Sequence, residues 1–276
     1  MVDANQLQYA APDPQRDAAD RLSRLHGALE LKAALLALLL PAGSRRARRA
    51  FEIETADARQ APGVHQHVLN LDPAARLPWF ELLLTRMALQ PLPLRQELLQ
   101  ATRRVIGARG GTRPIDLLHW FAMRRGLGER PNATVRGSGS GDVSEWLETD
   151  LLAIASYSAY LSSMVPVERA ARADGQAGTD WYIAVMEPWE GGVAMPACET
   201  PDGEGVVRAL ATLQTLSMMQ RPVLARGWVS AALKHDRQGR LTNSAADALR
   251  LSCGLLDTPM PPELEHHYGR VEGLPR

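Results

Sequence analysis

The stretch LPLRQELLQATRRVIGARGGTRPIDLLHWFAMRRGL (Leu92–Leu127) contains two apolar-striped segments separated by Gly110-Gly111. Before the glycines, apolar residues recur three or four positions apart, the spacing that places side chains on one face of a helix. After them, Thr112 and Pro114 are residue types that begin helices, and the apolar stripe resumes. The stretch therefore predicts a helical hairpin.

A second stretch repeats this arrangement. MQRPVLARGWVSAALKHDRQGRLTNSAADALRLSCGLL (Met219–Leu256) again places a striped helix before a turn rich in arginine and glycine, and Thr242 stands where Thr112 stands in the first. The turn glycines Gly110 and Gly239 lie 129 residues apart. We predict a duplicated hairpin whose copies bury each other's apolar faces. The alternative is that any helical protein rich in leucine and alanine contains segments that resemble each other in this way without duplication.

Composition favours helices throughout the chain. Alanine and leucine each occur 40 times in 276 residues, whereas isoleucine occurs five times and aromatic residues make up 5%. Alanine and leucine are strong helix formers, and a shortage of β-branched and aromatic residues disfavours sheets. We therefore predict an all-α fold built from helical hairpins.

One segment interrupts the helical pattern near the middle of the chain. GLGERPNATVRGSGSG has almost no periodic apolar residue, which predicts a flexible linker or loop. The predicted division is a first helical half (1–126, with its hairpin near 92–127), the linker (127–142) and a second helical half (143–276, with its hairpin near 219–256).

Capping residues predict where several helices begin. A short polar side chain before an apolar stripe accepts hydrogen bonds from the first free N–H groups of a helix. Such residues are Asp13, Ser44, Asp72 and Asp142, the last paired with Glu145 ahead of a helix predicted over 143–164. The most apolar run, Ala33–Leu40, is eight residues long, whereas a membrane span needs about 20. It predicts a buried helix.

Charge and cysteine content narrow the classes of function. The chain has 31 basic and 31 acidic residues, so no net field attracts nucleic acid or anionic lipid. Cys198 and Cys253 are too few for a disulfide framework and fit a reducing compartment. The amino-terminal residues lack the pattern of a secretory signal. We expect a cytoplasmic protein that does not bind nucleic acid and contacts membranes at most peripherally.

Two segments carry a family resemblance. LDPAARLPWFELLLTRMALQPLPLRQELLQATRRVIGARGG (Leu71–Gly111) and HDRQGRLTNSAADALRLSCGLLDTPMPPEL (His235–Leu264) resemble the helical region that follows the protease domain of large bacterial membrane zinc metallopeptidases of the HtpX/CAAX-endopeptidase type. Asp13–Leu40 is similar to the helices that join protease and tail in that family. The resemblance implies two TerB-like hairpins and a bacterial chain that works beside a membrane peptidase.

The chain lacks the residues that carry out this family's catalytic chemistry. The family's zinc site needs His-Glu-x-x-His on a helix, and none of the seven histidines is followed by glutamate. The family's Asp-Gly in the first turn is replaced by Arg109-Gly110. We therefore predict a non-enzymatic chain without catalytic, metal-binding or cofactor-binding residues, corresponding to the non-proteolytic tail.

A possible interaction surface remains. Four arginines cluster at Arg45, Arg46, Arg48 and Arg49, which on a helix is usually a solvated face. The sharper interpretation is contact with anionic headgroups beside a membrane partner. Trp189, next to Pro188 and a glycine pair, is expected to be exposed at an interface, whereas Trp146 and Trp228 lie on helical stripes and are expected in the core.

Histidine and cysteine offer weaker candidates. His65 and His67 could chelate a metal together only if extended, because side chains two positions apart on a helix point apart. With the pair His266-His267 they are expected to be solvated or capping residues. Cys253 is expected in the core and Cys198 exposed and oxidisable.

The expected function is a cytoplasmic helical interaction or regulatory module with a protein partner, for which a membrane-embedded peptidase or its complex is the candidate. The alternative is a helical domain that binds a small molecule or lipid in an apolar pocket between the halves, covered by the irregular stretch at 187–205. A third hypothesis is an enzyme that uses Cys198. All three depend on where the helices place these side chains.

Overall fold

The computed structural model describes residues 13–41, 43–128, 146–165, 176–189, 195–235, 240–269 and 274. Within those residues the fold is all-α, as predicted, and has no strand. Short 3-10 turns lie at Pro73–Ala75 and Glu187–Trp189. The α-helices are α1 (Pro14–Ser23), α2 (Ala28–Leu38), α3 (Arg45–Glu54), α4 (Ala61–Asn70), α5 (Arg76–Ala88), α6 (Leu92–Gly107), α7 (Pro114–Gly126), α8 (Glu148–Leu161), α9 (Gln176–Met186), α10 (Gly203–Leu213), α11 (Gln220–His235), α12 (Asn243–Leu255) and α13 (Pro262–Tyr268).

Three of the predicted caps begin helices. The side chain of Asp13 accepts from Gln15 N–H at 3.0 Å and begins α1. Ser44 and Thr242 accept likewise, at 3.3 and 3.2 Å, and begin α3 and α12. Asp72 caps the 3-10 turn that leads directly into α5. These local signals are confirmed because each hydroxyl or carboxylate satisfies an N–H group that the helix leaves free.

The predicted cap at Thr112 is wrong. The N-cap of α7 is Arg113, whose N–H donates to the Asp116 carboxylate at 2.8 Å. The side chain of Asp116, in the first turn of α7, reaches back and accepts from the N–H of the cap residue. The helix therefore begins without a capping hydrogen bond to the hydroxyl of Thr112. The predicted Asp142–Glu145 capping box and most of the predicted linker lie outside the described residues; α8 begins at Glu148.

Helix α2 is the centre of the first half. Its residues from Leu31 to Ala37 are all buried, and it packs against α4, α5 and α6. This confirms the buried helix expected from the apolar run. Lys32 is buried with them and forms an ion pair with Glu97 of α6, which offsets part of the cost of burying its charge. No helix among the described residues is long and apolar enough to cross a membrane.

The second half packs around α8, which contacts α9 and α10. Trp146, Trp228 and Cys253 are buried there, as predicted. The indole N–H of Trp228 donates to Ser158 Oγ at 2.9 Å, and the Tyr157 hydroxyl lies 3.0 Å from Ser252 Oγ. These hydrogen bonds satisfy the polar atoms of large buried rings.

Helices α7 and α12 join the two halves. They are the second helices of the two hairpins and pack directly against each other. The hairpins have matching lengths: α6 and α11 have 16 residues each, and α7 and α12 have 13 each. Gly128 and Asp257, also 129 residues apart, both have positive φ, 110° and 49°, just after α7 and α12. The contact between these helices positions a cleft where both of them end.

Candidate functional site

The arginine cluster lies on the outer face of α3. Ala47 and Phe51 form the buried face of this helix. All four predicted residues (Arg45, Arg46, Arg48 and Arg49) are exposed. The sequence alternates in this way because two small or aromatic residues one turn apart suffice to hold a short helix, while arginine keeps its charge in water. The surface made by these four arginines is called the arginine face.

An ion pair fixes α3 against α6. Arg104 donates to both oxygens of Glu54, at 2.5 and 2.8 Å. This two-pronged hydrogen bond lowers the pKa of the Glu54 carboxyl, and it raises the pKa of Arg104. The arginine face is therefore held on a defined frame rather than on a loop.

The four arginines differ in their partners. Arg48 donates to Glu52 at 3.2 Å one turn along α3, and its charge also faces His65 of α4. Burial lowers the pKa of His65, and the positive charge of Arg48 lowers it further. Arg45, Arg46 and Arg49 have no ion-pair partner within the described parts of the chain. These three carry uncompensated charge at the surface.

The turn between α6 and α7 borders the arginine face. A Cβ at Gly110, whose φ is +81°, would lie 3.8 Å from Arg46 Nη1, so the Arg46 guanidinium covers this turn. Inside the turn, the carboxylate of the fully buried Asp116 forms ion pairs with Arg109 Nη2 and Arg113 Nη2, each at 2.9 Å. Burial would raise the pKa of Asp116, but hydrogen bonds from Arg113 and Arg109 outweigh it and the pKa is lowered.

The whole first half is basic. Residues 1–128 contain 18 basic and 12 acidic side chains, and residues 129–276 contain 13 and 19, so their formal charges are +6 and −6. The net charge of zero hides this division. Charge counted by half reveals this division from the sequence, and the arginine face belongs to the basic half.

Trp189 does not belong to an exposed surface. The ring is only 8% exposed and packs against Trp146, with ring centroids 5.0 Å apart. It fits because Gly227 of α11 has no side chain: a Cβ there would lie 2.9 Å from Trp189 Cζ2. The predicted exposure of this tryptophan is therefore wrong, and the arginine face alone remains of the expected interaction surface.

One histidine of each pair, and Cys198, pack against near neighbours. The His65 ring lies against Phe51, and the His267 ring meets Tyr268 edge-on, with centroids 5.4 and 5.0 Å apart. Cys198 is half-buried, 3.6 Å from Ser162 Oγ. Across the described ranges, no group of three or more histidine, cysteine or acidic side chains is placed to hold a metal ion.

A cleft of about 550 Å³ lies between the halves where α7 and α12 end. Three polar side chains in it cap the carbonyl end of α12: Arg125 and Gln214 donate to Leu255 O, both at 2.8 Å, and Arg221 donates to Leu256 O at 2.9 Å. The lining mixes apolar and polar residues, mainly Phe80, Leu84, Ala122, Leu251 and Leu255 with Glu81, Thr85, Arg125, Gln214, Arg221 and Asp257.

A polar network beside this cleft ties α13 to the fold. The Tyr268 hydroxyl donates to Asp247 at 2.7 Å, and the Arg250 guanidinium lies 4.4 Å above the Tyr268 ring. Arg250 also donates to Glu81 of α5, at 2.9 and 2.6 Å. Burial raises the pKa of Asp247 to about 7. None of these contacts is visible in the sequence, because their partners lie far apart along the chain.

Comparison with known proteins adds no relative. No family model, curated protein or solved structure matches the chain. Kinship with the metallopeptidase tail and duplication of the hairpin accordingly stay proposals.

Proposed function

We propose that the chain is a non-enzymatic helical interaction module, a cytoplasmic tail-like partner of a membrane metallopeptidase of the HtpX/CAAX-endopeptidase type. The observation that carries the proposal is the arginine face: three of its four exposed arginines have no ion-pair partner among the described residues. Surface charge without internal compensation steers association with an acidic surface and sets its specificity.

The pair of hairpins supplies the scaffold for this role. The matching helix lengths and the 129-residue offset between the left-handed residues after α7 and α12 support the proposed duplication. Polar side chains satisfy carbonyls at both helix ends: Arg95 donates to Leu127 O at 3.0 Å and Arg221 to Leu256 O at 2.9 Å. A scaffold of this kind holds the arginine face rigid, which lowers the entropic cost of binding.

Replacing Arg45, Arg46 and Arg49 together by glutamine is expected to weaken binding to a detergent-solubilised HtpX-type peptidase at least about tenfold, mainly through slower association. The physical reason is loss of uncompensated charge that attracts an acidic surface. Biolayer interferometry at two salt concentrations measures both rate constants. Wild-type binding should weaken with salt, and the salt dependence of the variant should be smaller.

The matched control removes the same charge from α1 and from the residue that follows it. Arg16, Arg21 and Arg24 are exposed, and Arg21 pairs with Asp17 of its own helix at 3.8 Å. The triple glutamine variant there should bind within about twofold of wild type. Equal losses in the two triple variants, or no binding by the wild-type chain, would contradict the proposed surface.

A second candidate is binding of a small molecule or lipid in the cleft between the halves. Its volume of about 550 Å³ favours this function, since ligand sites commonly fall between 300 and 1,000 Å³, roughly. Against it, Arg125, Gln214 and Arg221 already donate to backbone carbonyls of the fold. The cleft therefore ranks below the arginine face.

Dodecanoate tests the second candidate, because its carboxylate and chain suit a lining of mixed polarity. If the cleft binds it, a concentration about 100-fold above Kd should raise Tm by about 5 °C. Thr85→Phe, at an exposed cleft residue, should abolish the rise. Thr212→Phe is the control, since Thr212 lies on α10 outside the cleft lining and, like Thr85, bonds back to its own helix. No rise in wild type would remove this candidate.

A further inference from the structure

The turn joining α6 to α7 contains a buried arginine with unused hydrogen-bond donors. The Arg109 side chain is only 7% exposed. Its Nη2 lies 2.9 Å from the Asp116 carboxylate, but Nε and Nη1 are buried and meet no acceptor among the described residues. Buried donors are nearly always paired, and each unpaired one costs about 1–3 kcal/mol. Two such donors on one guanidinium leave it able to bind a further acceptor.

The turn also has an excess of positive charge. Asp116 is the acidic side chain bonded there, and it receives both Arg109 and Arg113. One carboxylate between two guanidinium groups leaves the turn with a net charge of about +1. This excess charge favours an anionic acceptor over a neutral one.

A third arginine reaches the turn from α3. Arg46 Nη1 lies 3.8 Å from the position of a Cβ at Gly110. No atom of the described residues lies within 4 Å of the corresponding position at Gly111. Both glycines are exposed, so an anion can approach the backbone closely. The turn also leads into the N-terminal end of the 13-residue helix α7, where the peptide dipoles favour negative charge.

We propose that the turn at 109–113 is a binding site for a phosphate group, held by Arg109 from within and Arg46 from α3. Guanidinium groups match phosphate oxygens with paired hydrogen bonds, and a tetrahedral dianion has enough oxygens to accept from two arginines. The group comes either from a phosphorylated small molecule or from a lipid headgroup. The site shares Arg46 with the arginine face but rests on its own geometry, and testing it requires no protein partner.

Titration of the full chain with inorganic phosphate at low ionic strength should give saturable binding with one site per chain, measured by isothermal calorimetry. Arg46→Gln should weaken the affinity about tenfold, the effect of losing one charge-assisted hydrogen bond. Arg48→Gln is the matched control: it removes the same charge from the same helix, but Arg48 pairs with Glu52 and faces α4. It should change the affinity by less than about twofold.

Arg109 is tested with a check on folding. Arg109→Met should abolish saturable binding, and Arg109→Lys, which keeps the charge and the Asp116 contact but lacks the fork of donors, should weaken it about tenfold. Thermal unfolding identifies any variant that no longer folds, and in that case the Arg46/Arg48 comparison decides alone. Saturable binding lost through Arg46 and Arg109 but not Arg48 supports the site.

Vesicles separate the two sources of the phosphate group. Binding to phosphatidic acid vesicles but not phosphatidylcholine vesicles, reversed by Arg46→Gln, identifies a lipid headgroup; phosphate binding without vesicle binding identifies a soluble ligand. A turn in which water solvates Arg109 gives no saturable phosphate binding, which overturns the proposal. Equal effects of Arg46→Gln and Arg48→Gln overturn it too, since they indicate diffuse attraction to a basic surface.

Discussion

Replacing Arg221 by methionine is expected to lower the free energy of unfolding by about 4 kcal/mol and Tm by about 10 °C. Arg221 is 4% exposed. Its guanidinium donates to Leu216 O and Leu256 O, both at 2.9 Å, and to Gln214 O at 2.6 Å. Methionine has similar length but no donor, so three buried carbonyls at the junction of α10, α11 and α12 lose their partner.

The expected loss is smaller than three full hydrogen bonds because the charge itself is costly to bury. Burial lowers the pKa of Arg221, which shows that the fold disfavours its charged form, and the nearby Asp257 opposes this in part. Methionine recovers that desolvation cost while leaving the carbonyls unsatisfied. Urea unfolding followed by circular dichroism measures the difference.

Arg125→Met is the matched control for Arg221→Met. Arg125 donates to Leu255 O at 2.8 Å and pairs with Asp257, but its side chain is 25% exposed, so water can replace its contacts. The expected cost is about 1 kcal/mol. Equal costs for the two variants would mean that Arg221 is solvated and that the α12 end does not depend on its buried donors.

The fold was predictable from the sequence because helical periodicity and capping are local signals. The helix starts at Asp13, Ser44 and Thr242 follow from one residue each and are confirmed. The cap of α7 was missed because a carboxylate three residues inside the helix, Asp116, competed with the hydroxyl of Thr112. The sequence near α7 is compatible with either capping arrangement. The burial of Asp116, which favours the observed one, depends on the folded structure and cannot be read from these residues alone.

The candidate site was only partly predictable. Clustering along the sequence was enough to predict an exposed arginine face, but Arg46 meets the Gly110 turn across more than 60 residues of chain. The neighbours of Trp189 in the sequence predict an exposed loop, whereas the space that its ring fills is created by Gly227, far along the chain. A glycine inside a predicted apolar helix was the available signal for a close approach.

The second large effect is expected from pH. Asp247 should make the folded state less stable as pH rises, by about 4 kcal/mol between pH 4 and pH 8. Its pKa is raised from 3.8 to about 7 by burial, so the folded chain holds this proton more tightly than the unfolded chain does. The contribution is therefore fully present below the unfolded pKa and is lost as pH rises through the folded pKa. Asp247→Asn should remove this slope.

The contacts of Asp247 show why asparagine is a fair substitute. Tyr268 donates its hydroxyl to Asp247 Oδ1 at 2.7 Å, and an amide oxygen can accept the same hydrogen bond. That hydrogen bond and Arg250 lower the pKa of Asp247, whereas Glu81 raises it, but burial dominates. Asparagine keeps the size and the acceptor and cannot ionise, so the variant should be more stable than wild type at pH 8 and similar to it at pH 4.

The comparison is made as a difference between two pH profiles, because His119 acts in the opposite direction. Burial lowers the pKa of His119 from 6.5 to about 4, so its contribution is present above pH 6.5 and is lost as pH falls through 4. Wild type and the Asp247→Asn variant both contain this histidine, so its contribution to stability cancels in the difference between their profiles. Urea unfolding at each pH from 4 to 8 gives the two profiles. Parallel profiles would mean that the pKa of Asp247 is the same in the folded and unfolded states, and that α13 is not held on a protonated carboxyl.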